Sequence, residues 1–217
     1  MPFGPRGELS AIHKMPVTDA AYLDLDGFSV DEQGDTRNHG GAEKAVHHYA
    51  SEHYAAWQNE LRDFSGVTSL GPGGFGENLS TRGLTEDNVA IGDTFILGQA
   101  VIQVSQPRQP CWKLNIRFNV RDMAHRVQTL GRTGWYYRVL HPGLVRPNDV
   151  LLRTERVNPN WPISRVLYLL YQDRLNIEAL TQLASLHALN PKMQSLAARR
   201  VKQLSVEDWS SRLQGEI

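Results

Sequence analysis

The chain has 217 residues, 41% hydrophobic and 21% charged, a balance that excludes intrinsic disorder and leaves enough chain to bury its own core. Lys and Arg number 23, as do Asp and Glu; there are 16 basic and 18 acidic residues up to residue 157, and 7 and 5 beyond it. Neither part is basic enough to hold nucleic acid by charge, and no apolar run reaches the length of a membrane span, so neither partner is expected. The first residues lack a signal-peptide core, and the single cysteine, Cys111, has no partner for an internal disulfide. A reducing cytoplasm is the expected compartment.

In chain order, Ala42 to Leu61 reads as a helix, with Val46, Tyr49, His53, Trp57 and Leu61 along one face. Val89–Gly98 and Ala100–Val104 read as two strands of a hairpin turning at Gly98-Gln99. Asn119 to Leu130 has Val120, Met123, Val127 and Leu130 at helical steps. Trp135–Leu140 is a strand stopped by His141-Pro142-Gly143, and Val150–Arg153 is another. Short strands broken by turns predict a β-barrel or curled sheet with inserted helices over residues 1–157. Asn158-Pro159-Asn160-Trp161-Pro162 reads as a linker into a helical domain, residues 158–217. There Ile163–Tyr171 is one helix. Asn176 caps a second, running to about His187, and Asn190 with Pro191 starts a third, running to about Gln203. Ser205-Val206-Glu207-Asp208 resembles a capping box before a last short helix.

Three segments carry the candidate chemistry. Cys111 lies in Ser105-Gln106-Pro107-Arg108-Gln109-Pro110-Cys111-Trp112-Lys113, between prolines and cations. Arg108 and Lys113 would favour a thiolate if they face it, and a thiolate is a soft metal ligand or a nucleophile; a small buried apolar residue is the plainer reading. His39-Gly40-Gly41-Ala42-Glu43-Lys44 places two glycines and a cation at a helix start, suited to an anion or simply to a turn. Gly71-Pro72-Gly73-Gly74-Phe75-Gly76 can present main-chain N–H groups as an anion nest, or be a surface loop. His39, His47, His48 and His53 match no zinc spacing, and no nucleophile elbow is present.

His39-Gly40-Gly41 with Lys44-Ala45, then Phe75-Gly76-Glu77-Asn78-Leu79, then Gly92-Asp93, then Gln106-Pro107-Arg108-Gln109-Pro110-Cys111-Trp112-Lys113-Leu114 occur in that order. Together they resemble the MOSC domain, the family named after the C-terminal part of molybdenum-cofactor sulfurases, in its bacterial YiiM type. Gly134-Trp135-Tyr136-Tyr137-Arg138-Val139-Leu140 and the helical tail are similar too, so the resemblance runs from about Ser10 to Leu213. It implies a MOSC-type β-barrel with a C-terminal three-helix appendage. It implies a molybdenum cofactor (molybdopterin), with Cys111 as the metal-bound thiolate and catalytic centre. His39, Lys44, Asn78, Leu79, Ser80, Arg108, Gln109 and Tyr136 become its expected cofactor-binding residues, with Tyr136 favoured over Tyr137 and His39 a candidate proton donor. The implied activity is reduction of N-hydroxylated small molecules to amines (hydroxylaminopurines, hydroxylamines, amidoximes), with a separate flavoprotein reductase as electron donor.

Two departures follow. Gly76 stands where the related amidoxime-reducing branch has an Arg, which would move phosphate contacts to Lys44 and Arg108. Only a Gly/Pro-containing stub precedes Ser10, so the expectation is either a barrel lacking an edge strand or a start assigned too late. The alternative within the family is a sulfur carrier or cofactor-handling protein with a persulfide on Cys111. A DNA-binding tail using Arg199, Arg200 and Lys202 is disfavoured by the small basic excess.

Overall fold

The computed structural model describes residues 2–3, 7–32, 40–64, 67 and 70–215. His39 lies outside them. The N-terminal stub forms a short antiparallel pair, β1 (Pro2–Phe3) with β2 (Glu8–Leu9). β3 (Ala21–Asp24) and β4 (Gly27–Phe28) follow, then a 3₁₀ turn (Ala42–Lys44), β5 (Val46–Ala50), α1 (Glu52–Glu60) and β6 (Leu79–Thr81). β7 (Thr94–Leu97) and β8 (Ala100–Pro107) precede α2 (Lys113–Phe118) and α3 (Met123–Leu130). β9 (Trp135–His141), β10 (Gly143–Val145) and β11 (Leu151–Glu155) complete the strands. The tail holds α4 (Ile163–Tyr171), α5 (Ile177–Ala184), α6 (Pro191–Gln203) and α7 (Ser210–Gln214).

The main sheet has six strands in the order β11-β7-β8-β9-β5-β6, and a three-stranded sheet has the order β10-β3-β4. All pairings are antiparallel except β5 with β6, a pair whose parallel course needs the α1 crossover between them. The architecture is therefore mainly β, a half-barrel sheet with inserted helices and a helical tail. The expected hairpin is present, with Leu97 opposite Ala100 across Gly98-Gln99. Its first strand is shorter than expected. Gly92 has φ +82°, and Ala90 bridges to Pro162 instead of joining β7.

The single helix expected over 42–61 is not what forms. All five residues of Val46–Ala50 are buried, with β9 on one side and β6 on the other. A short fully buried strand and a buried helix segment carry the same apolar signal, and sheet pairing decides between them. The helix expected over 119–130 begins instead at Met123, after a left-handed residue at Asn119 (φ +52°), and Leu130 is exposed.

Asn176 Oδ1 accepts from the Ala179 N–H at 3.0 Å and Asn190 Oδ1 from the Lys192 N–H at 2.7 Å, so both expected caps form. The capping box does not. Glu207 instead takes a two-bond contact from the buried Arg200 guanidinium at 2.7 and 3.0 Å, and Asp208 accepts from the Ser210 N–H at 2.8 Å where α7 begins. Burial alone would raise the Glu207 carboxyl pKa, but Arg200 and the Trp209 indole N–H hold it down at about 2. Arg200, considered above for phosphate contact, is thus 1% exposed and paired inside the tail.

The largest core is shared between sheet and tail: Val89, Ile91, Ile102 and Val104 cluster with Trp161, Ile163, Val166 and Leu170. Within 158–162 Trp161 is buried, Ile91 N–H bonds the Trp161 carbonyl and Ile163 N–H the Val89 carbonyl, so the segment is anchored to the sheet. A second core gathers Tyr49, Tyr54 and Trp57 with Phe75, Leu114, Phe118 and Val127, and the Tyr49 and Phe75 rings stack at 4.3 Å.

Candidate functional site

Cys111 lies in the loop between β8 and α2. Arg108 N–H bonds the Gly134 carbonyl at 3.0 Å, tying the Cys111 loop to the start of β9. Gly134 has φ +72°, and a Cβ there would lie 2.2 Å from the His48 carbonyl oxygen, so this crossing of β5 and β9 requires glycine. His47 and Tyr136 then face each other across the two strands, with ring centres 5.0 Å apart.

The strand alternation assigns the two tyrosines opposite duties. Tyr137 is buried in the core, its hydroxyl 2.9 Å from His48 Nδ1. Tyr136 faces the Cys111 loop. Its hydroxyl pKa is raised, by burial first and then by the neighbouring Cys111, against the lowering effect of the Arg108 guanidinium. Lys44 Nζ lies 5.9 Å from the centre of the Tyr136 ring. The 3₁₀ turn carrying Lys44 is held by Glu43, which receives the Arg138 guanidinium, and by Ser105 Oγ at 2.6 Å from the Glu43 carbonyl.

Lys44, Arg108, Cys111 and Tyr136 therefore come together, and His47 joins them. Sequence reasoning passed over His47 because it was placed on a helix; a strand reading of Val46–Ala50 would have set it opposite Tyr136. Burial, then the Arg108 cation, hold the His47 pKa well below the ordinary value, so the ring is neutral. Its Nε2 is buried without a hydrogen-bond partner, as is Arg108 Nη1. Buried polar atoms are nearly always bonded, so such a set marks a place for a polar ligand.

Asn78 lies elsewhere in the scheme. Its Oδ1 accepts from the His47 N–H at 2.9 Å and its Nδ2 donates to Asp31 at 2.8 Å, so the side chain braces β5. Asn78, Leu79 and Ser80 line a cavity of about 590 Å³ together with Lys14, Asp31 and Arg146. Cys111, Arg108 and Tyr136 are not in its lining. Gln109 departs from the group as well, since its side chain is beside the buried Tyr171 hydroxyl of α4.

The glycine loop is no vacant nest. Gly73 N–H (2.7 Å) and Phe75 N–H (3.0 Å) both donate to the Glu77 carboxylate, which also receives the Tyr54 hydroxyl. The chain thus supplies its own anion there. Nor does a long helix start after Gly40-Gly41, because only the three-residue turn follows.

Residues 35–152 match the model of the MOSC domain. The chain belongs to the MOSC domain family. Behind this MOSC domain, residues 161–204 match the YiiM-like, 3-alpha helix domain. The chain is 37% identical over 212 residues to protein YiiM of Escherichia coli (strain K12), covering 98% of this chain and 93% of that one. It is 35% identical over 182 residues to a protein named reductase of Gibberella moniliformis, covering 83% of this chain and 32% of that longer protein. The crystal structure of YiiM from Escherichia coli superimposes with a TM-score of 0.83 at 34% identity, over 96% of this chain and 97% of that one.

Proposed function

We propose that this MOSC protein is an oxidoreductase that reduces N-hydroxylated compounds to amines with a molybdenum–pterin cofactor held through Cys111. The observation that carries the reading is the buried Cys111 thiol grouped with Tyr136 and with an Arg108 guanidinium whose Nη1 has no partner. A metal bound by soft sulfur takes a thiolate, and the anionic phosphate of a pterin takes cations and unfilled donors. Cys111 offers the thiolate, Lys44 and Arg108 the cations and Arg108 Nη1 the unfilled donor, so the residues fit the group. The reductase relative supports a redox reading.

When bound, the cofactor supplies two-electron chemistry toward an N–O bond. The balance is R–NHOH plus two electrons and two protons giving R–NH₂ and water. Cys111 would bind the metal, and Arg108 with Lys44 would neutralise the anionic end. Tyr136, its hydroxyl pKa raised by burial, keeps its proton on Oη at neutral pH and can donate a hydrogen bond. The buried, neutral His47 stands on the same wall. Electrons would come from a separate flavoprotein reductase in the cytoplasm. Among the described residues, no helix is long and apolar enough to cross a membrane.

The test is molybdenum and pterin content per chain after production in a molybdate-fed host. Reduction of 6-hydroxylaminopurine and benzamidoxime by reduced viologen would be measured alongside. We expect close to one metal per chain in the parent, with metal and turnover lost together in Cys111→Ala. A metal-free, pterin-free parent after reconstitution, carrying sulfane sulfur on Cys111, would overturn the reading in favour of a sulfur carrier.

A further inference from the structure

The C-terminal helix α7 packs onto the loop that bears Cys111 and onto α3. Arg212 makes three hydrogen bonds, two to that loop and one to α3. Its main-chain carbonyl accepts the Trp112 N–H at 2.8 Å. Its guanidinium donates through Nη1 to the Pro110 carbonyl and through Nη2 to Gln128 Oε1, the latter at 2.6 Å. Next to it, the Leu213 carbonyl accepts from Asn115 Nδ2 at 2.9 Å. The two peptide groups that flank Cys111, one ending in the Pro110 carbonyl and the other in the Trp112 N–H, are thus both held by one residue far along the chain. Pro110 has no N–H of its own to anchor its side of the loop. Tyr171 closes the arrangement from behind, with its ring centre 5.8 Å from the Arg212 guanidinium carbon and its hydroxyl beside Gln109.

We propose that Arg212 is a positioning residue: it sets the direction of the Cys111 thiol by clamping the peptide planes on either side of it, and this is a function of the helical tail. The proposal deepens the reading of Cys111 as the cofactor thiolate, but its test is independent of any metal. Cys111 is the sole cysteine, so thiol modification of the full-length chain reports on this loop alone.

The experiment measures the rate of Cys111 alkylation by iodoacetamide in the parent, Arg212→Ala, Arg212→Lys and a control, Lys192→Ala, with a thermal melt for each. Lys192 is an exposed residue of α6. We expect Arg212→Ala to be alkylated at least about tenfold faster than the parent, the lower limit for losing one charge-assisted hydrogen bond. Low-millimolar methylguanidinium should slow it again, Arg212→Lys should recover part of the protection, and Lys192→Ala should match the parent. A rate in Arg212→Ala within twofold of the parent, or no response to methylguanidinium, would overturn the proposal. Should Arg212→Ala fail to melt cooperatively, Gln128→Met, which removes the second acceptor of the guanidinium, is expected to be alkylated about threefold faster; an unchanged rate there would overturn it too. If the cofactor reading fails while these rates hold, the clamp stands and only the ligand of Cys111 changes.

Discussion

His47 and His48 are neighbours whose side chains leave β5 on opposite faces, and their surroundings divide accordingly. His48 is fully buried between the Tyr137 and Thr81 hydroxyls, at 2.9 and 2.8 Å, and burial lowers its pKa to about 3. In the unfolded chain the same ring titrates near the usual value of about 6.5. A folded-state pKa below the unfolded one gives stability that is complete above pH 6.5 and is lost as pH falls toward 3. Urea unfolding of the parent should therefore weaken below pH 6, with His48 contributing a slope approaching about 1.4 kcal/mol per pH unit. His48→Gln should unfold with a slope shallower by about one proton. Comparing the two variants removes the contribution of Glu77, whose pKa is raised by burial and works in the opposite sense. A parent and variant with equal slopes would show that His48 is not held neutral.

At the scale of elements, the glycine loop 71–76 takes its shape from Glu77 more than from its glycines. Three donors converge on that one carboxylate. Glu77→Gln keeps the size but offers one acceptor and turns an N–H toward N–H or O–H donors. The expected cost is about 2 kcal/mol, the penalty for a buried donor left unpaired, read as a lowered midpoint in chemical denaturation. The loop packs Phe75 on Tyr49, so near-ultraviolet dichroism should change with it. The motif from Phe75 to Leu79 was visible in the sequence, but the reason for its glutamate was not, because the Tyr54 hydroxyl arrives from α1, which is contiguous with the motif only in space.

For the whole molecule, the shared core predicts joint unfolding of sheet and tail. Ile163, Val166 and Leu170 of α4 complete the same cluster as Ile91 and Val104, and the Asn190 N–H bonds the Ser105 carbonyl at the middle of β8. We expect one cooperative transition, coincident by far-ultraviolet dichroism and tryptophan fluorescence. A fragment ending at residue 157 should be aggregation-prone, since it would expose the apolar face that α4 covers. Two separated transitions would mean that the tail folds independently of the sheet.

The amino-acid sequence by itself determined the mainly β character of the first part, the hairpin at Gly98-Gln99, and the tail helices α4 to α6 with the Asn caps of α5 and α6. These are local properties: turn residues, caps and periodicity act within a few positions of themselves. Tertiary structure alone decided that Val46–Ala50 is a strand, because burial from both sides is imposed by β9 and β6. It alone set His47 opposite Tyr136 and turned Gln109 away toward Tyr171. It spent Glu207 on Arg200 rather than on a helix cap, and it brought Arg212 onto the Cys111 loop. Each of these depends on groups far apart along the chain finding a partner that burial obliges them to have, and nothing in the neighbouring residues records that partner.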